Sequence, residues 1–274
     1  MAARDDILRE LHLLPRWTVR SRPGLGARDP SPAVSPSIVI AGTAEVPPAA
    51  HVAPEMLPRP EPRPEPRPAI AADARRSRIA ALEWPDLAAD VAACTACPLC
   101  RTRRRTVPGV GSMTAEWLFV GEAPGSEEDV KGEPFVGQAG RLLDAMLAAL
   151  GLARGRGVYI ANVVKCRPPD NRNPEPQEIA ACLPYLERQV ELLRPRLVVA
   201  LGKIAATALL DADATIASLR GSVHRYRELP LVVTYHPAYL LRTLADKAKA
   251  WEDLLLARRT MAALRDRSEP GNAS

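Results

Sequence analysis

The chain has 274 residues, 25% of them charged, and a formal net charge of +5 at pH 7. This length allows one or two domains, and the positive balance is compatible with binding to a phosphate backbone without establishing it. Because the N-terminal stretch is charged and no apolar run reaches membrane-spanning length, the patterns of a secretory leader and of a membrane span are both missing. We therefore expect a soluble, intracellular protein, cytoplasmic in a bacterial type of cell.

Residues 1–74 are predicted to form a disordered tail. Half of the 28 prolines lie before residue 70, and residues 58–68 alternate proline with arginine and glutamate, which favours an extended polyproline II conformation. Such a segment buries too little apolar surface to offset its ordering entropy. Residues 5–14 carry leucines and an isoleucine at helical spacing. They are either a short helix that binds an unidentified protein partner or a frayed terminus, and we favour the terminus.

Residues 75–268 are predicted to form a single folded domain in which helices and strands alternate. The predicted helices are 75–93, 140–150, 176–193, 203–210 and 244–265. The predicted strands are 117–120, 157–164 and 197–201, followed by a hairpin or bent strand pair at 223–227 and 231–234. This alternation favours an α/β fold of three layers, α/β/α, around a central, mainly parallel sheet of four strands.

The loop at 121–140 is the strongest candidate for a functional site. It follows the first apolar strand, it is rich in glycine and in acidic residues, and it contains Phe135, one of only two phenylalanines. Loops at strand ends are where α/β sheets place their chemistry. The alternative is a solvated surface loop. Phe135 favours a pocket, because it lies between glycines and outside any helical or strand period.

The five cysteines indicate a metal site. An odd number of cysteines without a secretion signal argues against disulfides. Cys94, Cys97, Cys166 and Cys182 offer four thiolates, a set that suits zinc or an iron–sulfur cluster. Cys100 is an additional thiol that spacing alone cannot exclude. The alternative is that Cys166 is incidental and that Cys182 is a small apolar residue on the buried face of its helix.

Four stretches resemble the family 4 uracil-DNA glycosylases, the iron–sulfur branch of that superfamily: GEAPGSEED at 121–129, PFVGQAGRLLD at 134–144, NVVKCRPPDNRNP at 162–174 and YHPAYLLR at 235–242. The resemblance extends from about residue 94 to residue 258. It implies an enzyme that hydrolyses the N-glycosidic bond of deoxyuridine in DNA and leaves an abasic site for base excision repair. It also implies a 4Fe-4S cluster held by Cys94, Cys97, Cys166 and Cys182, with Cys100 outside the ligand set.

The resemblance also implies roles for individual residues. Phe135 stacks on the flipped uracil, Asn162 reads the edge of the base, and His236 lies beside the glycosidic bond, while Gly121 and Asn171 complete the substrate site. The alternatives are purely structural roles. Asn162 would end a strand in a turn, and His236 would begin a helix before a proline.

The acid that positions the water is the least determined role. Ala123 stands in the substrate site where a related branch keeps an aspartate. Glu122 is therefore the first choice for this acid and Glu128 the second, unless Glu128 only holds the loop by accepting backbone hydrogen bonds.

The remaining expectations concern DNA and the competing functions. Lys203, Arg242 and Arg167 are predicted to contact DNA phosphates, although each could be a solvated surface charge. We expect a monomer that acts on uracil-containing DNA at the nucleoid and does not bind membranes. The competing functions are a glycosylase for another deaminated base, hypoxanthine or xanthine, and a non-catalytic iron–sulfur module that binds DNA.

Overall fold

The structure, a computed structural model, describes residues 69–267, with side chains from residue 73 onward. The predicted short helix at 5–14 and the proline-rich repeat at 58–68 lie outside the described residues. In the part of the chain that is described, no helix combines the length and apolar character needed to cross a bilayer.

The described residues contain a six-stranded sheet. Its strands are β1 (Val110–Gly111), β2 (Trp117–Gly121), β3 (Val158–Asn162), β4 (Leu197–Leu201), β5 (Val223–Tyr226) and β6 (Leu229–Thr234). Their order across the sheet is β1-β3-β2-β4-β6-β5, and the four central strands are parallel to one another. The edge strands β1 and β5 are antiparallel to their neighbours. The α/β class and the parallel four-stranded core are confirmed, and the antiparallel edges enlarge the predicted sheet.

The helices cover both faces of this sheet. They are α1 (Ala69–Ala80), α2 (Trp84–Ala93), α3 (Ser126–Lys131), α4 (Gln138–Ala149), α5 (Pro176–Leu193), α6 (Lys203–Leu210), α7 (Ile216–Leu219), α8 (Pro237–Arg242) and α9 (Lys247–Asp266). Single 3-10 turns lie at Pro98–Arg101, Pro169–Asn171 and Leu244–Asp246. The single helix predicted at 75–93 is wrong, because two helices occupy this stretch. Pro85 lies in the first turn of α2, where its missing N–H leaves no gap in the helical hydrogen bonds.

Successive side chains of a strand pack on opposite faces of the sheet, as the pleat requires. In β2, Leu118 and Val120 pack with residues of α1, α2, α5 and α6, whereas Trp117 and Phe119 pack with residues of α4 and α9. All five residues of β2 are buried, and so are all five of β3 and of β4. Strands buried on both faces read as continuous apolar runs, as expected of a parallel sheet between two helical layers.

Candidate active site

The carboxyl ends of the four parallel strands meet at one edge of the sheet and form a cavity there. Gly121 ends β2, Asn162 ends β3, Gly202 follows β4 and His236 follows β6, and Gly121 is paired with Asn162 in the strand register. The cavity has a volume of about 640 Å³. Its walls include Glu122, Ala123, Gly125, Glu128, Phe135, Asn162, Pro168, Asn171, Arg172, Asn173, Lys203, His236, Tyr239 and Arg242. Residues from five separate stretches of the sequence therefore share one site.

Asn162 presents an unpaired acceptor to this cavity. Its side chain is 1% exposed, and its Oδ1 atom has no hydrogen-bond partner among the described residues. Buried polar atoms are almost always paired, and an unpaired one costs about 1–3 kcal/mol of stability. An acceptor left open at the floor of a cavity is suited to a ligand that brings an N–H group.

Gly121 lies between Asn162 and Phe135 and leaves room for both. A Cβ atom at this position would lie 2.5 Å from Asn162 Oδ1 and 2.6 Å from Cζ of Phe135. Both distances are shorter than real Cβ contacts, so any side chain here would displace the amide or the ring. The residue type at 121 therefore fixes how closely these two groups approach each other.

Phe135 has an unusual backbone conformation for an aromatic residue. Its φ angle is 54°, in the left-handed region that bulky residues rarely adopt. The side chain is 6% exposed, and the centroid of its ring lies 5.4 Å from that of His236, with 31° between the planes. Gly140 permits this backbone, because a Cβ there would come within 1.8 Å of the Phe135 carbonyl oxygen.

His236 is held as a neutral ring with a defined tautomer. It is the N-cap residue of α8, and its Nδ1 atom accepts a hydrogen bond of 3.1 Å from the backbone N–H of Ala238. A neutral imidazole whose Nδ1 is an acceptor carries its proton on Nε2. Burial, assisted by the charge of Arg242, lowers the pKa of His236 from 6.5 to about 4. At neutral pH the ring is therefore an uncharged N–H donor.

Gly202 places this histidine. Its φ angle is +93°, and a Cβ at this position would lie 2.9 Å from Cβ of His236. Glycine is the residue that adopts such a φ without strain. The turn after β4 thus brings the helix start at Lys203 and the His236 loop close together.

Two carboxylates of the acidic loop, those of Glu128 and Glu122, differ in their surroundings. Glu128 accepts hydrogen bonds from the backbone N–H groups of Gly125 (3.1 Å), Val136 (2.9 Å) and Gly137 (3.3 Å). These bonds support the alternative in which Glu128 holds the loop. Glu122 is half-buried in the cavity wall, and burial raises its pKa.

The other residues predicted for the site take different positions. Ala123, Asn171, Lys203 and Arg242 line the cavity. Arg167 is not among the lining residues, and its Nε donates a hydrogen bond of 2.8 Å to Asn171 Oδ1.

Sequence reasoning missed Arg172 as a cavity residue. Its guanidinium binds the buried carboxylate of Glu178 at 2.7 Å while the residue itself lines the cavity wall. Its place within the NVVKCRPPDNRNP stretch is the signal that could have identified it.

All five cysteines line a second, small space, of about 10 Å³, together with Arg103, Lys165 and Tyr185. The predicted ligands Cys94, Cys97, Cys166 and Cys182 thus lie together, and the fifth thiol, Cys100, lies beside them. Among residues 73–267, however, no three side chains of His, Cys, Asp or Glu are grouped so that they could hold a metal ion.

Three of these sulfur atoms already accept hydrogen bonds. The backbone N–H of Lys165 donates to Cys182 Sγ at 3.2 Å, the Arg103 guanidinium to Cys166 Sγ at 3.2 Å, and the Arg75 guanidinium to Cys94 Sγ at 3.5 Å. Burial raises the pKa of Cys166 to about 11 and that of Cys182 to about 12. Donors aimed at buried sulfur stabilise a thiolate, the form that binds metals.

The chain is similar to known proteins over the stretch that contains the active-site cavity. Residues 108–255, more than half of the chain, match the family model of the uracil DNA glycosylase superfamily. The chain is 47% identical to the type-4 uracil-DNA glycosylase of Archaeoglobus fulgidus, over 57% of this chain and 82% of that protein. It is 44% identical to the type-4 uracil-DNA glycosylase of Pyrobaculum aerophilum, over 60% and 87%, respectively. It is also 44% identical to that of Thermotoga maritima, over 57% and 82%.

Proposed function

The chain belongs to the uracil-DNA glycosylase superfamily, in its type-4 branch, and we propose that it hydrolyses the N-glycosidic bond of deoxyuridine in DNA within the cavity at the strand ends. The bond between C1′ and N1 breaks with its electron pair going to uracil, the oxygen of a water molecule bonds to C1′, and the proton that this water loses ends on the uracil anion. The products are free uracil and an abasic site. The observation that carries this assignment is the unpaired, buried Oδ1 of Asn162, which shares one cavity with Phe135 and His236.

Asn162 is proposed to read the base. Its carbonyl oxygen accepts the N3–H of uracil, and its amide N–H donates to O4. Cytosine presents an acceptor at N3 and a donor at the 4-position, so it would meet Asn162 with both polarities inverted. A site built to pair with a particular N–H and C=O rejects a base that leaves these groups unpaired.

Phe135 is proposed to stack on the extruded base. Extruding a nucleotide from a duplex costs a few kcal/mol of pairing and stacking. Stacking on an aromatic side chain returns about 1–3 kcal/mol per base. The ring of Phe135 lies beside both Asn162 and His236, so a base stacked on it would meet both polar groups.

His236 is proposed to stabilise the departing base. Bond cleavage leaves negative charge on uracil, part of it at O2. The Nε2–H of the neutral ring can donate to that oxygen from a fixed position, which is the preorganised electrostatic stabilisation that lowers such barriers. The ring acts as a neutral donor and not as an acid, because its pKa near 4 leaves it uncharged at neutral pH before cleavage.

Glu122 is proposed to act on the sugar side of the bond. The sugar acquires oxocarbenium character as the base departs, and a nearby carboxylate stabilises that positive charge and orients the attacking water. Ala123 cannot supply this function, and the carboxylate of Glu128 already accepts three backbone N–H groups. Glu122 is therefore the carboxylate of this loop that we assign to the reaction, with Glu128 as the group that holds the loop.

The cysteine-lined space is proposed to hold a 4Fe-4S cluster through Cys94, Cys97, Cys166 and Cys182. The four cysteines line one space, and the sulfurs of Cys94, Cys166 and Cys182 accept hydrogen bonds, which suits the thiolate ligands of an iron–sulfur cluster. The cluster would tie together three separate segments of the chain. The residues of the active-site cavity, not the cluster, perform the proposed chemistry.

DNA is proposed to lie across the mouth of the cavity. Arg242 and Lys203 are exposed at its rim, and Arg172 is a third cation in its wall. Arg167 acts indirectly in this scheme, through Asn171. Because the proposed substrate is DNA, we propose that the enzyme works in the cytoplasm, at the nucleoid. We also propose that it is a monomer and that residues 75–268 are its catalytic domain.

The test uses duplexes labelled at one end that contain uracil, hypoxanthine, or only undamaged bases. Each is incubated with the purified protein and then treated with alkali, which breaks the strand at abasic sites. Scission confined to the uracil duplex is the expected result. Scission of the hypoxanthine duplex alone would move the function to another deaminated base. No scission of any duplex would leave a DNA-binding module and refute the proposal.

A second measurement tests the cofactor. Protein purified without oxygen should be brown, absorb near 400 nm and contain about four irons per chain. A colourless protein with one zinc per chain would contradict the assignment.

A further inference from the structure

Arg154 clamps the backbone of the loop that carries Phe135. It lies between α4 and β3, and its two terminal nitrogens donate hydrogen bonds of 2.8 Å each to the carbonyl oxygens of Pro134 and Phe135. The same guanidinium binds Asp144 Oδ1 at 3.0 and 3.2 Å. The side chain of Arg154 is 24% exposed. These hydrogen bonds go to backbone carbonyls and to Asp144, and none of them goes to a side chain proposed to meet the base.

The clamped backbone is one that needs external support. A left-handed φ of 54° at a phenylalanine is unfavourable and persists only where the surroundings enforce it. On the cavity side, Glu128 binds the N–H groups of Val136 and Gly137. Arg154, which is not among the residues lining the cavity, binds the two carbonyls that precede them. A carboxylate and a guanidinium thus both hold the backbone of residues 134–137.

We propose that Arg154 is a positioning residue for uracil recognition, which keeps the ring of Phe135 in place through the carbonyls of residues 134 and 135. This inference rests on the proposed function, because it requires that Phe135 stack on the base. Since Arg154 acts only through Phe135, its removal can cost no more activity than removal of the Phe135 ring. That bound distinguishes the clamp from a general contribution to folding or to DNA binding.

The experiment is a double-mutant cycle on R154A, F135A and the R154A/F135A double variant, with single-turnover kcat/KM measured on a uracil duplex. The kcat/KM of F135A should fall about 10- to 100-fold, as expected from loss of base stacking. The kcat/KM of R154A should fall about 10-fold, the scale of hydrogen bonds that involve a charged group. The double variant should be no slower than F135A, because the two losses are not independent.

Two further variants sharpen the result. R156A is the matched control: Arg156 is an exposed arginine two residues further along, and it makes none of these bonds to residues 134 and 135. It should retain wild-type kcat/KM. R154K keeps the charge but cannot make the forked contact to two carbonyls, so it should fall between wild type and R154A. Circular dichroism and thermal melting establish that each variant is folded.

Activity of R154A within twofold of wild type, or multiplicative losses in the double variant, would overturn the inference while leaving the role of Phe135 intact. If R154A does not fold, R154K decides in the same way: it must lose activity in the wild-type background and lose none in the F135A background. If F135A retains full activity, stacking on Phe135 fails and the inference falls with it. Scission of the uracil duplex by wild type separates that outcome from failure of the glycosylase function.

Discussion

The protonation state of His236 makes a quantitative prediction for the pH dependence of the reaction. Burial and Arg242 lower the pKa of this ring from 6.5 to about 4. At pH 6, a pKa of 4 leaves about 1% of the rings protonated, whereas an unperturbed histidine would be about three-quarters protonated. If the neutral ring is the active form, protonation of His236 will reduce the rate only as the pH falls through 4.

The assay is kcat/KM measured under single-turnover conditions between pH 4.5 and 8.5, which reports the ionisations of the free enzyme. Glu122 also titrates on the acid side, because burial raises its pKa. If its carboxylate is the active form, the rate falls with decreasing pH through this raised value, and that limb disappears in E122Q. H236A should lose about 100- to 1000-fold, as expected for removal of one preorganised donor, with little change in the shape of the profile above pH 5.

The reasoning is refuted by one clear pattern. An inflection near pH 6.5 that survives E122Q and disappears in H236A would mean that His236 titrates normally and that its cation takes part. The same lowered pKa also bears on stability. Above pH 6.5 the neutral ring makes its full contribution to the free energy of unfolding. This contribution is lost as the pH falls towards about 4, since the unfolded chain binds the proton first. Thermal melting of wild type and H236A over this range measures the difference.

The remaining predictions concern other parts of both cavities. G121A places a Cβ within 2.5 Å of Asn162 Oδ1 and should reduce kcat/KM about 5- to 160-fold, the rate equivalent of about 1–3 kcal/mol of overpacking. The control G157A introduces a side chain with no atom within 4 Å and should lower only the melting temperature. N162D should abolish uracil scission in the alkali assay, because a carboxylate has no N–H for O4, and unchanged activity would discredit the recognition scheme. C97S should lose the absorbance near 400 nm and most of its iron, whereas C100S should keep both, and a loss of colour in C100S would place the fifth thiol among the ligands.

The fold could be predicted where local chemistry marks the ends of elements. Residues 176–193, 197–201 and 203–210 have the predicted bounds, since Pro176 starts one helix and Gly202 separates a wholly apolar strand from the next helix. The short elements were missed. β1 has two residues and α3 has six, too few for a periodic pattern to develop. The break between α1 and α2 was missed because apolar spacing continued across it.

The residues of the site could largely be predicted from the sequence, whereas their positions relative to one another could not. Four separate strand ends carry the residues of the cavity, and a parallel sheet brings such ends together. Asn162 and His236 were assigned to one pocket through the resemblance to the family 4 glycosylases. The positive φ of Phe135, its contact with Gly121 and its clamp by Arg154 depend on how distant segments pack. No pattern of spacing encodes these contacts. The hydrogen bond that fixes the tautomer of His236 is likewise visible only in the folded chain.

The two cavities share a short segment, and this connection gives the proposed cluster a physical role. Lys165 is buried, at 1% exposure, and its Nζ donates to the carbonyl oxygen of Asn162 at 2.8 Å and to Gln189 Oε1 at 2.6 Å. Its backbone N–H binds Cys182 Sγ, and the next residue is Cys166. A buried lysine is costly unless its partners are fixed. The cysteines lie at one end of this segment and Asn162, the proposed reader of the base, lies at the other, so a cluster that fixes the sulfurs would also fix the peptide from which that amide projects.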